Sequence, residues 1–175
     1  MSTEAILTVL LASTVLSATP LMLAAVGESL GEQSGVLNLG VEGSLSLSGF
    51  VGFWAALRFD NAIAGLVAGA LTGLVLGTTF GALSAYGRAN QVVLGLGLTL
   101  AGTGASGFLF REAFGSDQPL LANVPGHPLE GFVDWLPVIG PAIAGQRWPV
   151  FVAWAAAVAV TLWFRRSRTG LQIRA

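Results

Sequence analysis

Glu28, Glu32, Asn38 and Glu42 are the residues whose types and spacing could do chemistry in this chain. They fall within Gly27–Gly43, GESLGEQSGVLNLGVEG, between two strongly apolar segments. Carboxylates and a carboxamide can accept hydrogen bonds from a solute, or satisfy backbone N–H groups where a helix is interrupted. Glu28 and Glu32 are four residues apart, as are Asn38 and Glu42, so each pair shares a face if its stretch is helical. No positive side chain adjoins Glu28 and Glu32. They read either as a hydrated helix end, where water removes the cost of burying charge, or as an ion or partner contact. Asn38 and Glu42 also have two readings. They cap or pin a broken helix by bonding free backbone groups, or they line a polar solute path beside it.

Other chemistry is poorly furnished. There is no cysteine, so thiol and disulfide chemistry is excluded. The single histidine, His127, cannot build a metal site alone; its default is an exposed loop residue, with pH sensing as the alternative. No Ser/His/Asp set, His/Glu metal spacing or acid/base pair is placed for catalysis. The glycine-rich stretches lack the Lys-Ser/Thr of a phosphate loop. No catalytic residue, metal or cofactor is expected.

The elements that must position the polar stretch are membrane helices. The chain is 54% hydrophobic and 10% charged over 175 residues, whereas soluble domains carry about 25% charged residues. All eight basic residues are arginine and the net charge is −1, so no basic surface suggests nucleic acid. Apolar runs place spans at Ala5–Val26, at a short run ending at Leu57, at Ile63–Tyr86, at Val92–Phe110 and at Val150–Phe164. The first run is too long for a signal core and lacks a positive flank. The second contains only 13 residues from Leu45 to Leu57, about 20 Å of helix, against a hydrocarbon core of about 30 Å. It must recruit residues from as early as Val36, or bend back. The expected fold is all-α: a polytopic transmembrane helix bundle of about five spans, the second broken or re-entrant. A carboxylate at the bilayer centre costs about 2.5–3.5 kcal/mol on insertion scales, so a polar group recruited there usually has a role.

Gly65, Gly69, Gly73, Gly77 and Gly81 form an i+4 ladder in the third span, a face for close helix packing. Asn90 and Gln91 read as interfacial caps of the fourth span. Residues 111–147, rich in proline, form a long extracytoplasmic loop; its apolar patch around Trp135–Ile143 lies along the interface or in solvent. Arg165, Arg166, Arg168 and Arg174 crowd the tail and place it in the cytoplasm by the positive-inside rule. Five spans then put the N-terminus outside and Gly27–Gly43 inside. Trp148 and Trp163 suit the two interfaces.

Three blocks resemble the permease subunits of bacterial ABC importers, the broad group of ribose and branched-chain amino acid permeases, and its nucleoside and simple-sugar branch in particular. They are GESLGEQSGVLNLGVEGSLSLSGFVGF, NQVVLGLGLTLAGTG from Asn90, and LPVIGPAIAGQRWPVFVAWAAAVAVTLWFRRSRTGLQIRA to the end. The resemblance implies a multi-pass subunit of the bacterial inner membrane with no enzymatic activity of its own. It implies a second permease subunit (homo- or heterodimer), cytoplasmic ATPase subunits that power alternating access, and an extracytoplasmic solute-binding protein. It implies that residues 165–175 begin the cytoplasmic coupling loop. Because that loop continues beyond such an ending in the family, residues 1–175 are expected to be one transmembrane domain, the N-terminal part of a longer permease. The competing reading is a stand-alone membrane channel or an oligomeric scaffold packed through the Gly65–Gly81 ladder.

Overall fold

The computed structural model describes residues 3–87, 89–116, 119–121, 126 and 138–166. Six helices account for most of them: α1 Thr3–Gln33, α2 Val41–Arg58, α3 Ala62–Ala85, α4 Gln91–Phe114, α5 Ile139–Ala144 and α6 Trp148–Arg166. No strand occurs among the described residues. Arg88, His127, Trp135, Arg168 and Arg174 lie outside them, as do 117–118, 122–125 and 127–137 of the 111–147 loop.

Local chemistry sets the helix ends. The Asn61 side chain accepts from the N–H groups of Ile63 (2.8 Å) and Ala64 (3.4 Å) and caps α3. Asn90 does the same for α4 through Val92 (3.0 Å) and Val93 (3.3 Å). Each satisfies donors that the first helical turn leaves free. Pro20 sits inside α1 and the helix continues through it.

Among the described residues, four helices are long and apolar enough to cross a membrane: α1, α3, α4 and α6. They cover four of the five expected spans. The remaining one, α2, has 18 residues, about 27 Å of helix. It carries Glu42 and Arg58 at its ends and three serines between them, which dilutes its apolar character. Large apolar side chains are exposed along the spans, including Leu16, Leu71, Leu74, Leu100 and Val158. Such surfaces suit lipid, which solvates apolar side chains and leaves the helices to satisfy their own backbones.

The chain divides into two compact units, Met1–Gly27 with Pro125–Ala175, and Glu28–Val124; the division falls inside α1. In the first unit, Val150, Ala153, Ala157 and Phe164 are buried along one face of α6. Gln146, 4% exposed, donates from Nε2 to the Ala12 carbonyl of α1 (2.9 Å) and the Ala142 carbonyl of α5 (3.0 Å).

In the second unit, α2 packs against both α3 and α4. Small residues set how closely. A Cβ on Gly65 would lie 2.6 Å from the Gly52 carbonyl oxygen, and one on Gly69 would lie 3.1 Å from that of Ser48. α3 therefore runs antiparallel to α2. α4 runs in the same direction as α2: Gly43 meets Gly102 near its start, and Phe53 stacks on Phe110 (6.5 Å) and meets Phe114 edge-on (5.8 Å) further along.

Candidate functional site

The polar stretch folds into a furnished helix break. α1 ends in a Schellman turn: the Val36 N–H donates to the Gly31 carbonyl and the Gly35 N–H to that of Glu32, both at 3.0 Å. Gly35 takes φ +79°, a left-handed conformation that glycine adopts without steric cost.

Residues 36–40 are not helical, and side chains replace the missing helical partners. The Asn38 N–H donates to Glu28 Oε1 (2.7 Å). The Leu37 N–H donates to Gln91 Oε1 (2.8 Å), and Gln91 Nε2 donates to the Gly35 carbonyl (3.3 Å). Thr99 Oγ1 donates to the Leu39 carbonyl (2.9 Å). The Gly40 N–H donates to Asn38 Oδ1 (2.9 Å), and the Gly40 carbonyl accepts from Ser44 to open α2. Non-helical backbone at membrane depth is tolerated only when its polar groups are paired or face a water-filled cavity. Glu28, Asn38, Gln91 and Thr99 supply that pairing.

The break climbs along α4. Gln91 is bonded at its start, Leu39 crosses Gly95, and Gly40 and Gly43 lie against Leu98. Gln91 and Thr99 are eight residues apart, about 12 Å along a helix axis. α2 therefore starts roughly two turns inside the depth that α4 spans. The short second span is a late start, with the non-helical segment 36–40 covering the missing length.

The two polar pairs separate in the structure. Asn38, half-buried, is committed to Gly40 and pins the break. Glu42 stands in the first turn of α2, is exposed, and makes no hydrogen bond or ion pair with a described residue. Glu28 and Glu32 both lie on α1, but among the described residues only Glu28 has a bonded partner, the Asn38 backbone. Of the ladder, Gly65 and Gly69 meet α2 closely and a Cβ on Gly73 would lie 3.5 Å from Ser48 Oγ, whereas a Cβ on Gly77 or Gly81 would meet nothing within 4 Å. Arg165 and Arg166 are exposed in the last turn of α6, where cations complement the helix dipole.

Sequence reasoning missed Gln91 and Thr99 as partners of the break. Gln91 is not a cap: Asn90 already fills that role, which leaves the neighbouring amide free to reach the incoming chain. That redundancy, and a lone hydroxyl at Thr99 among leucines, were the available signals.

The family model described as branched-chain amino acid transport system / permease component matches residues 10–175. A provisionally assigned glucose ABC transporter permease protein of Haloferax volcanii is 35% identical over 169 residues, which cover 94% of this chain and 50% of that protein. A guanosine ABC transporter permease protein of Bacillus subtilis is 29% identical, covering 97% of this chain and 56% of the relative. A nucleoside ABC transporter permease protein of Lactococcus lactis subsp. cremoris is 26% identical, covering 96% and 55%. The chain spans about half the length of the curated relatives it matches. No solved structure matches it.

Proposed function

The chain belongs to the branched-chain amino acid transport system permease component family, and on that premise we propose that it is a membrane-spanning part of an ATP-driven importer for nucleosides or simple sugars. The observation that carries this reading is the family match over residues 10–175. The relatives named for guanosine, nucleosides and glucose support the solute class, because all of these offer a neutral, hydroxylated sugar ring. The few fixed charges within the spans agree with a neutral cargo.

In this reading the chain binds and guides solute while partner ATPases supply the energy. The partners are a second permease subunit, two cytoplasmic ATPase subunits and an extracytoplasmic solute-binding protein. The complex sits in the cell membrane. The chain enters the break from the cytoplasmic side at Glu28 and Glu32, and the pinned break holds α2 at its offset height against α4 within the membrane. Arg165 and Arg166 in the last turn of α6, with Arg168 and Arg174 after it in sequence, orient the chain and lead toward the ATPase.

The test is uptake by proteoliposomes holding the assembled importer. Labelled guanosine, glucose and leucine are offered with ATP or with a non-hydrolysable analogue inside. ATP-dependent entry of guanosine or glucose is expected. Preference for leucine would reject the solute class, and uptake indifferent to ATP would reject the importer.

A further inference from the structure

We infer that the face of α2 carrying Glu42, Ser46 and Gly49 lines the aqueous solute path, with the Glu42 carboxylate accepting hydrogen bonds from hydroxyl groups of a sugar ring. This rests on the transport reading above and assigns the residues that would touch the solute.

The three positions are spaced i, i+4 and i+7, so they share one side of the helix. Over the first turns of α2 the neighbouring helices occupy other sides: α4 packs on Gly43, and α3 packs on Ser48 and Gly52. Glu42 and Gly49 are exposed, and a Cβ on Gly49 would meet nothing within 4 Å. The Ser46 hydroxyl and the Glu42 carboxylate make no hydrogen bond with a described residue. One further turn along, the strip ends at Phe53, which is packed on Phe110 and Phe114.

Depth turns this strip into a site. Gly43 touches Leu98 and Thr99, so Glu42 lies about 10 Å beyond the first residue of α4 along the span. A carboxylate at that depth is strongly disfavoured against lipid and normally faces water, a ligand or a charged partner. No described cation reaches it. Asn38, by contrast, has its carbonyl oxygen committed to the backbone and is assigned to the scaffold. A carboxylate accepts from hydroxyl donors with charge-assisted strength, a serine hydroxyl can donate or accept, and the glycine leaves room for a ring.

The chain contains no cysteine, so a single introduced thiol reports its own surroundings. Glu42→Cys, Ser46→Cys and Gly49→Cys are compared with Leu74→Cys, an exposed apolar position on α3, in assembled importers whose other subunits lack cysteine. A charged, membrane-impermeant methanethiosulfonate should modify the three α2 positions and spare Leu74. Saturating guanosine or glucose should slow modification. Glu42→Gln, which keeps an acceptor without its charge, should raise the KM for uptake about five- to tenfold. Failure of all three α2 thiols to react, in an importer that still moves solute, would overturn the path assignment while leaving the transport reading standing. Reaction without solute protection, together with an unchanged KM in Glu42→Gln, would overturn the hydroxyl contact. Ser46→Cys is nearly isosteric, so it gives the accessibility readout even if replacing Glu42 impairs assembly.

Discussion

Gly43 of α2 and Gly102 of α4 meet backbone to backbone. A Cβ on Gly102 would fall 2.7 Å from Gly43 Cα and closer still to its carbonyl, and a Cβ on Gly43 would fall 2.6 Å from Thr99 Cα. No side chain fits on either glycine. The approach also brings the incoming segment within reach of α4, so that Thr99 can bond the Leu39 carbonyl. Close helix packing and the furnished break are therefore one arrangement.

Gly102→Ala should destabilise the chain by about 1–3 kcal/mol, because the added methyl forces two backbones apart. Gly104→Ala, whose Cβ would meet nothing within 4 Å, should be neutral or stabilising by up to about 1 kcal/mol through helix propensity. Thermal unfolding of the two variants in detergent separates them. Equal midpoints would remove the Gly43–Gly102 contact from the packing account.

Glu28 and Glu32 look alike in the sequence but should differ in consequence. Glu28→Ala leaves the Asn38 N–H without its acceptor, at a cost of about 1–3 kcal/mol. Glu28→Gln retains an acceptor oxygen and should recover most of that loss. Glu32→Ala removes an exposed side chain with no bonded partner among the described residues and should stay within about 0.5 kcal/mol. Denaturation midpoints rank the three, and limited proteolysis within residues 34–40 should follow the same order. If Glu32→Ala matches Glu28→Ala, the pin is not the reason the break holds.

Gly35→Ala tests the turn that starts the break. At φ +79° a Cβ is strained whatever space surrounds it, and the cost should be about 1–2 kcal/mol. Gly77→Ala, in open space on α3, provides the contrast and should not destabilise. The prediction is lost if both alanines unfold at the wild-type midpoint.

The helices were legible because apolar runs and asparagine caps are local signals. Ile63–Tyr86 was expected and α3 is Ala62–Ala85; Val150–Phe164 was expected and α6 is Trp148–Arg166. The shortage of length in the second span was legible too. Its resolution was not, since it depends on contacts more than 50 residues apart, from Gln91 to Gly35 and Leu37 and from Thr99 to Leu39. The glycine ladder shows the same limit. Spacing groups five residues on one face, but α2 closes on Gly65 and Gly69, and the approach has opened by Gly77. Periodicity reports which residues share a face, whereas the crossing point of two helices is a tertiary property.

Gln146 supplies the last test, in the unit formed by α1, α5 and α6. Its carboxamide is buried and donates to both Ala12 of α1 and Ala142 of α5, so one side chain fastens the short helix to the long one. A six-residue helix has little stability of its own, because helix nucleation is unfavourable and short isolated helices are marginal. Gln146→Leu roughly keeps the volume but removes the donor. The Ala12 carbonyl lies inside α1 and keeps its helical partner, but the Ala142 carbonyl loses its donor while the Gln146 backbone N–H is bonded to Ile143, so the loss should be about 1–3 kcal/mol. Gln146→Ala also leaves a cavity and should cost more, about 2 kcal/mol or above. Amide hydrogen exchange localises the effect. Faster exchange at the Ala142 and Gly145 amides, which bond within this turn at 3.2 and 3.0 Å, is expected in Gln146→Leu, with α3 and α4 unchanged. Exchange that stays slow in α5 would mean that apolar burial of Ala142 and Ala144, rather than the carboxamide, holds it in place.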